Sequence, residues 1–129
     1  MAETEYFKVG QKALIEKGGK VLILNDPKRG LDFPGGKVEA GEENLIDSLL
    51  REIEEETTLK VTISDPFNVG YWNKTKPTYF VFFKAEYISG DVNLSDEHDN
   101  FEWVGKEDLG KLNSNHSFFK VLEKYFEGA

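Results

Sequence analysis

The chain has 129 residues, 39% of them hydrophobic and 31% charged, with 12 glycines, 4 prolines and no cysteine. That apolar content suffices for a packed core, the glycine and proline usage excludes a collagen-like chain, and the lack of cysteine excludes a disulfide framework and a thiolate metal site. The net charge of −8 is concentrated in one segment, where Glu39, Glu42, Glu43, Asp47, Glu52, Glu54, Glu55 and Glu56 face Arg51 alone; the remainder is nearly neutral and holds no basic tract of the kind that binds duplex nucleic acid.

The acidic start Met1-Ala2-Glu3-Thr4-Glu5 lacks the basic and apolar regions of a signal peptide, and no apolar run approaches the roughly 20 residues that span a bilayer. The expectation is one domain over residues 1–129, cytoplasmic, away from membranes, and a monomer or homodimer. From Tyr6 to Lys17, Phe7, Val9, Ala13, Leu14 and Ile15 predict a strand; Gly18-Gly19 predicts a turn, and Val21 to Leu24 a second strand. Phe33-Pro34-Gly35-Gly36-Lys37 favours a bent loop that exposes its backbone over a regular strand.

Between Asn44 and Thr57, Ile46, Leu49, Leu50, Ile53 and Thr57 recur at three- and four-residue intervals, predicting a helix packed on a sheet. Val61 to Ile63, Phe67 to Trp72, Thr78 to Tyr87 and Phe101 to Val104 concentrate β-branched and aromatic residues and predict strands. Lys106 to Leu112 predicts a short helix, and Phe118, Val121, Leu122 and Tyr125 mark a final one over Ser117 to Phe126.

The chemistry lies on the first helix. At about 100° per residue, Glu52, Glu55 and Glu56 share an arc opposite the apolar stripe, where like charges repel. A hard divalent cation reverses that sign, and oxygen ligands without cysteine suit Mg²⁺ or Mn²⁺. The bland alternative is a solvated acidic face. Its position directly after a Pro-Gly-Gly segment, whose backbone can approach an anion or lend a carbonyl to a metal, favours a single site built from loop and helix.

These residues resemble the signature of the Nudix family, G-x5-E-x7-R-E-U-x-E-E-x-G-U, where U is aliphatic. Gly36 and Glu42 match its opening, and Arg51-Glu52-Ile53-Glu54-Glu55-Glu56 with Leu59 its close. Eight residues instead of seven separate Glu42 from Arg51, so either Glu42 or Glu43 fills the signature position, and Thr58 replaces the late glycine. The resemblance implies an α/β/α sandwich around a mixed β-sheet and hydrolysis of a nucleoside diphosphate linked to another group. It further implies Mg²⁺ held by Glu52, Glu55 and Glu56 with the Gly36 carbonyl, and Arg51 orienting a carboxylate of the box. A bound metal neutralises phosphoryl charge and acidifies water, which makes attack on phosphorus feasible at neutral pH.

Glu97 resembles the family's loop glutamate that faces the box, a candidate general base alongside Glu55. Its neighbour His98 reads as a surface residue and His116 as a loop or cap group. Phe33, Tyr71, Trp72 and Trp103 are candidates for stacking a nucleobase, against core packing; Arg29 and Lys37 are candidates for pairing substrate phosphates, against a solvated role. The expected activity is hydrolysis of a phosphoanhydride in a nucleoside triphosphate or other nucleoside diphosphate derivative. The alternative is a nucleotide sensor of the same fold that binds without cleaving.

Overall fold

A computed structural model describes residues 3–72 and 76–128. Strand β1 (Lys8–Lys17) turns at Gly18-Gly19, both with positive φ, into β2 (Lys20–Asp26). After β3 (Gly30–Asp32) and β4 (Gly35–Lys37) come helix α1 (Leu45–Thr57), β5 (Lys60–Trp72), β6 (Thr78–Ser89), β7 (Asn100–Val104), a short 3-10 helix (Lys106–Lys111) and helix α2 (Ser117–Glu127).

The strands form one mixed sheet in the order β3-β2-β1-β6-β5, with β4 paired to β1 and β7 to β2. β1 and β6 run parallel from Lys8↔Thr78 to Glu16↔Glu86, and the remaining pairs are antiparallel. Successive side chains of a strand point to opposite faces, so Ala13 and Ile15 enter one core and Leu14 the other. The first core places Leu49 and Ile53 of α1 against Leu22, Leu24, Phe83 and Ala85; the second places Phe118, Val121 and Leu122 of α2 against Ile23, Phe80 and Phe82. The result is the expected α/β/α sandwich.

Two local expectations are corrected. The Gly35-Gly36-Lys37 segment is a short strand, not a free loop: it pairs with Gly10, Gln11 and Lys12 of β1, because the missing side chains let two backbones approach. Its Gly35 has φ 141°, and a Cβ there would strike the Gln11 carbonyl. Val61 to Ile63 and Phe67 to Trp72 belong to one strand, whose register shifts between Ile63 and Asn68 absorb Pro66.

Helix α1 starts where Asn44 accepts a hydrogen bond from the Asp47 amide and ends at Thr58, whose φ of 64° is left-handed. Thr58 thus performs the turn that the signature assigns to glycine. Its hydroxyl donates to the Asp91 carbonyl (2.6 Å), which secures the unusual backbone.

Candidate active site

A cleft of about 780 Å³ opens between the β3–β4 segment, the C-terminal half of α1 and the loop joining β6 to β7. The three carboxylates of the helix line it, with distinct surroundings. Glu56 is buried and its Oε1 accepts a hydrogen bond from the Gly35 amide (2.9 Å). Burial pushes its carboxyl up to about 7, against the opposing pull of Lys12 and the Gly35 amide. Glu52 is half-buried, and burial together with the nearby Glu42 charge raises its pKa as well. Its carboxylate lies so close to Gly36 that a Cβ at that position would overlap it. The glycine backbone and the helix carboxylate are therefore one unit.

Glu55 is exposed and its Oε1 lies 3.4 Å from Arg51 Nε, one helical turn away. Arg51 Nη2 also reaches Glu42 Oε2 at 3.3 Å, and Glu42 Oε1 accepts from the Glu39 amide (2.6 Å). Glu42 rather than Glu43 therefore partners Arg51. Arg51 is half-exposed and spans two acids, which screens their repulsion while Glu52 makes no ion pair among the described residues.

Across the cleft, the loop bearing Glu97 is tied down at both ends. The Asn93 and Ser95 amides donate to the Thr57 and Glu56 carbonyls at 3.0 and 3.2 Å, and the Asp99 amide donates to Asn25 of β2 at 3.1 Å. Glu97 itself is exposed to the cleft, with a carboxylate oxygen within 4.8 Å of ligand atoms of both Glu56 and His98. An oxygen-rich set, two of whose carboxylates have raised pKa values in the absence of a cation, fits a hard divalent metal. The ligand atoms that converge within 4.8 Å of one another on this side of the cleft are those of Glu56, Glu97 and His98.

His98 is not the surface residue that its acidic neighbours suggested. It is buried, and its Nε2 lies 2.9 Å from Asp32 Oδ2, while Asp32 Oδ1 is 3.0 Å from Lys12 Nζ. Burial alone would lower the proton affinity of His98, but the Asp32 bond and the charges of Asp32 and Glu56 outweigh it and raise the pKa. Burial would raise Asp32 too, yet Lys12 and His98 hold it below the usual carboxylate value. Lys12 and Asp32 were absent from the sequence reading. Their signal was a lysine set directly before the apolar run Ala13-Leu14-Ile15, and an acid two residues before Pro34.

The cleft is lined by basic and aromatic residues as well. Arg29 and Lys37 line it, and burial together with the neighbouring charges of Lys8, Arg29, Lys76 and Lys12 lowers the pKa of Lys37. Of the four aromatic candidates, Trp72 lines the cleft, its ring 5.9 Å from His116 and 6.2 Å from Phe118. Phe33 is corrected: it is fully buried, stacked 5.6 Å from Phe118, and offers no face to a base. Tyr71 packs against Phe7, and Trp103 against Tyr87, both outside the cleft lining. His116 caps α2 as expected, its Nδ1 accepting from the Phe118 amide (3.0 Å); Nε2 sits 2.7 Å from the Arg29 carbonyl and so carries the proton.

The NUDIX domain model matches residues 10–125, which run from within β1 to within α2. The chain belongs to the Nudix family. It is similar to an uncharacterized Nudix hydrolase of Bacillus subtilis, 30% identical over 115 residues that cover 83% of this chain and 72% of the relative. It is also similar to the asymmetrical bis(5'-nucleosyl)-tetraphosphatase of Mus musculus, 33% identical over 86 residues covering 61% of this chain; the match spans 58% of the mouse enzyme. Among solved structures, the MutT protein from Methanosarcina mazei Go1 superposes with a TM-score of 0.81 at 27% identity, covering 98% of this chain and 96% of that one. A C. elegans Ap4A hydrolase superposes with a TM-score of 0.69 at 25% identity, covering 95% and 98%.

Proposed function

We propose that this Nudix domain hydrolyses a phosphoanhydride bond in a small nucleotide, a nucleoside triphosphate or another nucleoside diphosphate derivative, with Mg²⁺ as cofactor and Mn²⁺ as a substitute. The observation that carries the reading is the contact of Glu52 and Glu56 with the Gly35-Gly36 backbone, inside a cleft that Arg29 and Lys37 also line. Glu52, Glu55, Glu56 and the Gly36 carbonyl would hold the metal. When bound, the metal neutralises charge on the phosphoryl oxygens and acidifies water.

This chain's own groups do the rest. Arg29 and Lys37 pair with phosphate oxygens, and Trp72 offers its ring to the base. Arg51 keeps Glu55 turned along the helix face. Glu97, exposed opposite Glu56, accepts a proton from the attacking water, with Glu55 as the second candidate for that role. The similarity to proteins named bis(5'-nucleosyl)-tetraphosphatases supports testing a bridged dinucleoside substrate beside the nucleoside triphosphates.

The test is a panel of nucleoside triphosphates, nucleoside diphosphate sugars and bis(5'-nucleosyl) tetraphosphates, incubated with Mg²⁺ and assayed for nucleotide products, phosphate and pyrophosphate. Turnover that requires the divalent ion supports the reading. Tight nucleotide binding with no product from any member would sink it in favour of a sensor.

A further inference from the structure

His98 and Glu97 are adjacent in sequence and opposite in environment: the imidazole is 6% exposed, the carboxylate faces the open cleft. Among the described residues Asp32 is the imidazole's hydrogen-bond partner, through Nε2 at 2.9 Å, and Nδ1 is buried with none. The orientation of the ring therefore depends on Asp32. Asp32 is in turn fixed by Lys12 at 3.0 Å, and it ends β3, three residues before the Gly35 amide that holds Glu56. The same short segment thus grips both sides of the cleft, Glu56 through Gly35 and the Glu97 loop through Asp32 and His98.

We propose that His98 is a positioning residue for Glu97: anchored by the Lys12–Asp32 pair, it sets where the loop carboxylate stands relative to Glu56. The backbone bonds of the loop lie at Asn93, Ser95, His98 and Asp99, the His98 amide donating to the Ser95 carbonyl at 3.4 Å, and among the described residues His98 is the side chain whose hydrogen bond ties its inner surface to the β3–β4 segment. Groups that orient a site carboxylate or imidazole in this way commonly contribute 10–100-fold to activity or metal affinity. The proposal rests on the role given to Glu97 above.

The experiment compares His98→Gln, His98→Asn and His98→Leu, each with and without Glu97→Gln, using Mg²⁺ and the best-hydrolysed nucleotide of the panel. The Gln side chain is long enough to bring its amide near the Nε2 position and donate to Asp32; the Asn side chain is not. Expected is a loss in kcat of roughly 10-fold or more for His98→Leu and His98→Asn with KM nearly unchanged, recovery of most of it in His98→Gln, and no further loss once Glu97 is Gln. The Asn and Gln variants carry the comparison if the Leu variant does not fold. In the metal-free protein, amide exchange across residues 95–99 should quicken in His98→Asn and stay slow in His98→Gln. Equal kcat in the Asn and Gln variants, or losses that multiply fully with Glu97→Gln, overturns the role of His98 alone. Unaltered turnover in Glu97→Gln by itself overturns the reading of Glu97, and the proposal with it.

Discussion

Glu56 is where burial and function conflict most directly. Its carboxyl titrates near 7 when folded, against an ordinary value near 4.5, so between those limits the folded state holds a proton that the unfolded state releases. Folding stability is therefore greatest below the unfolded value and declines as pH rises through about 7, by at most about 3 kcal/mol. The metal-free protein in chelator should melt at a lower temperature at pH 8 than at pH 5.5 if this group dominates, and Glu56→Gln should flatten the difference and raise the melting temperature at pH 8. The same variant should lose most of its turnover, because the amide cannot supply the negative oxygen. A lower metal-free melting temperature for Glu56→Gln at pH 8 would count against the burial argument. Thr58 offers a second test. A β-branched residue at φ 64° is strained, and the hydroxyl bond to Asp91 offsets the strain. Thr58→Ala keeps the strain and loses the bond, whereas Thr58→Gly loses both; urea unfolding should rank Gly above Ala by about 1 kcal/mol.

The two glycines of β4 separate what the element does for the fold from what it does for the site. At Gly35 a Cβ would meet the Gln11 carbonyl of β1, on a backbone with φ 141° that L side chains rarely adopt, so Gly35→Ala should destabilise the protein by more than 2 kcal/mol. At Gly36 the φ is ordinary and the clash is with the movable Glu52 carboxylate. Gly36→Ala should fold nearly normally but bind Mn²⁺ at least 10-fold more weakly by titration, since the carboxylate is displaced from the glycine backbone. Helix α1 was legible because Leu49, Ile53 and Thr57 repeat with the helical period, although Ile46 at its first turn remains 38% exposed. β4 was not legible, since two glycines carry no alternation and the strand exists through its pairing with β1. Phe33 misled for a related reason: the helix that covers it, α2, begins 84 positions later, and nothing local says which face of the chain will be roofed.

Taken whole, the molecule places its two cores on either side of the sheet and gathers its charge conflicts at one cleft, where Glu52 and Glu56 are raised in pKa and Lys37 is lowered. The acidic box announced that cleft in the sequence; the Lys12–Asp32–His98 chain did not, because its members lie on three segments, with Asp32 and His98 alone 66 residues apart, and meet only when the sheet forms. A site that opposes folding when empty should assist it when filled. A cation that binds the folded state alone stabilises it by about 2.7 kcal/mol at a hundredfold excess over its Kd, which for a chain of this size raises the melting temperature by roughly 10 °C. Protons compete for Glu56, so the rise produced by a fixed Mg²⁺ concentration should be larger at pH 8 than at pH 6. In Glu52→Gln/Glu56→Gln the rise should disappear at both pH values, while the metal-free double variant should be at least as stable as the unmodified protein at pH 8. A Mg²⁺-induced rise that survives in the double variant would place the cation elsewhere and remove the box from its assigned role.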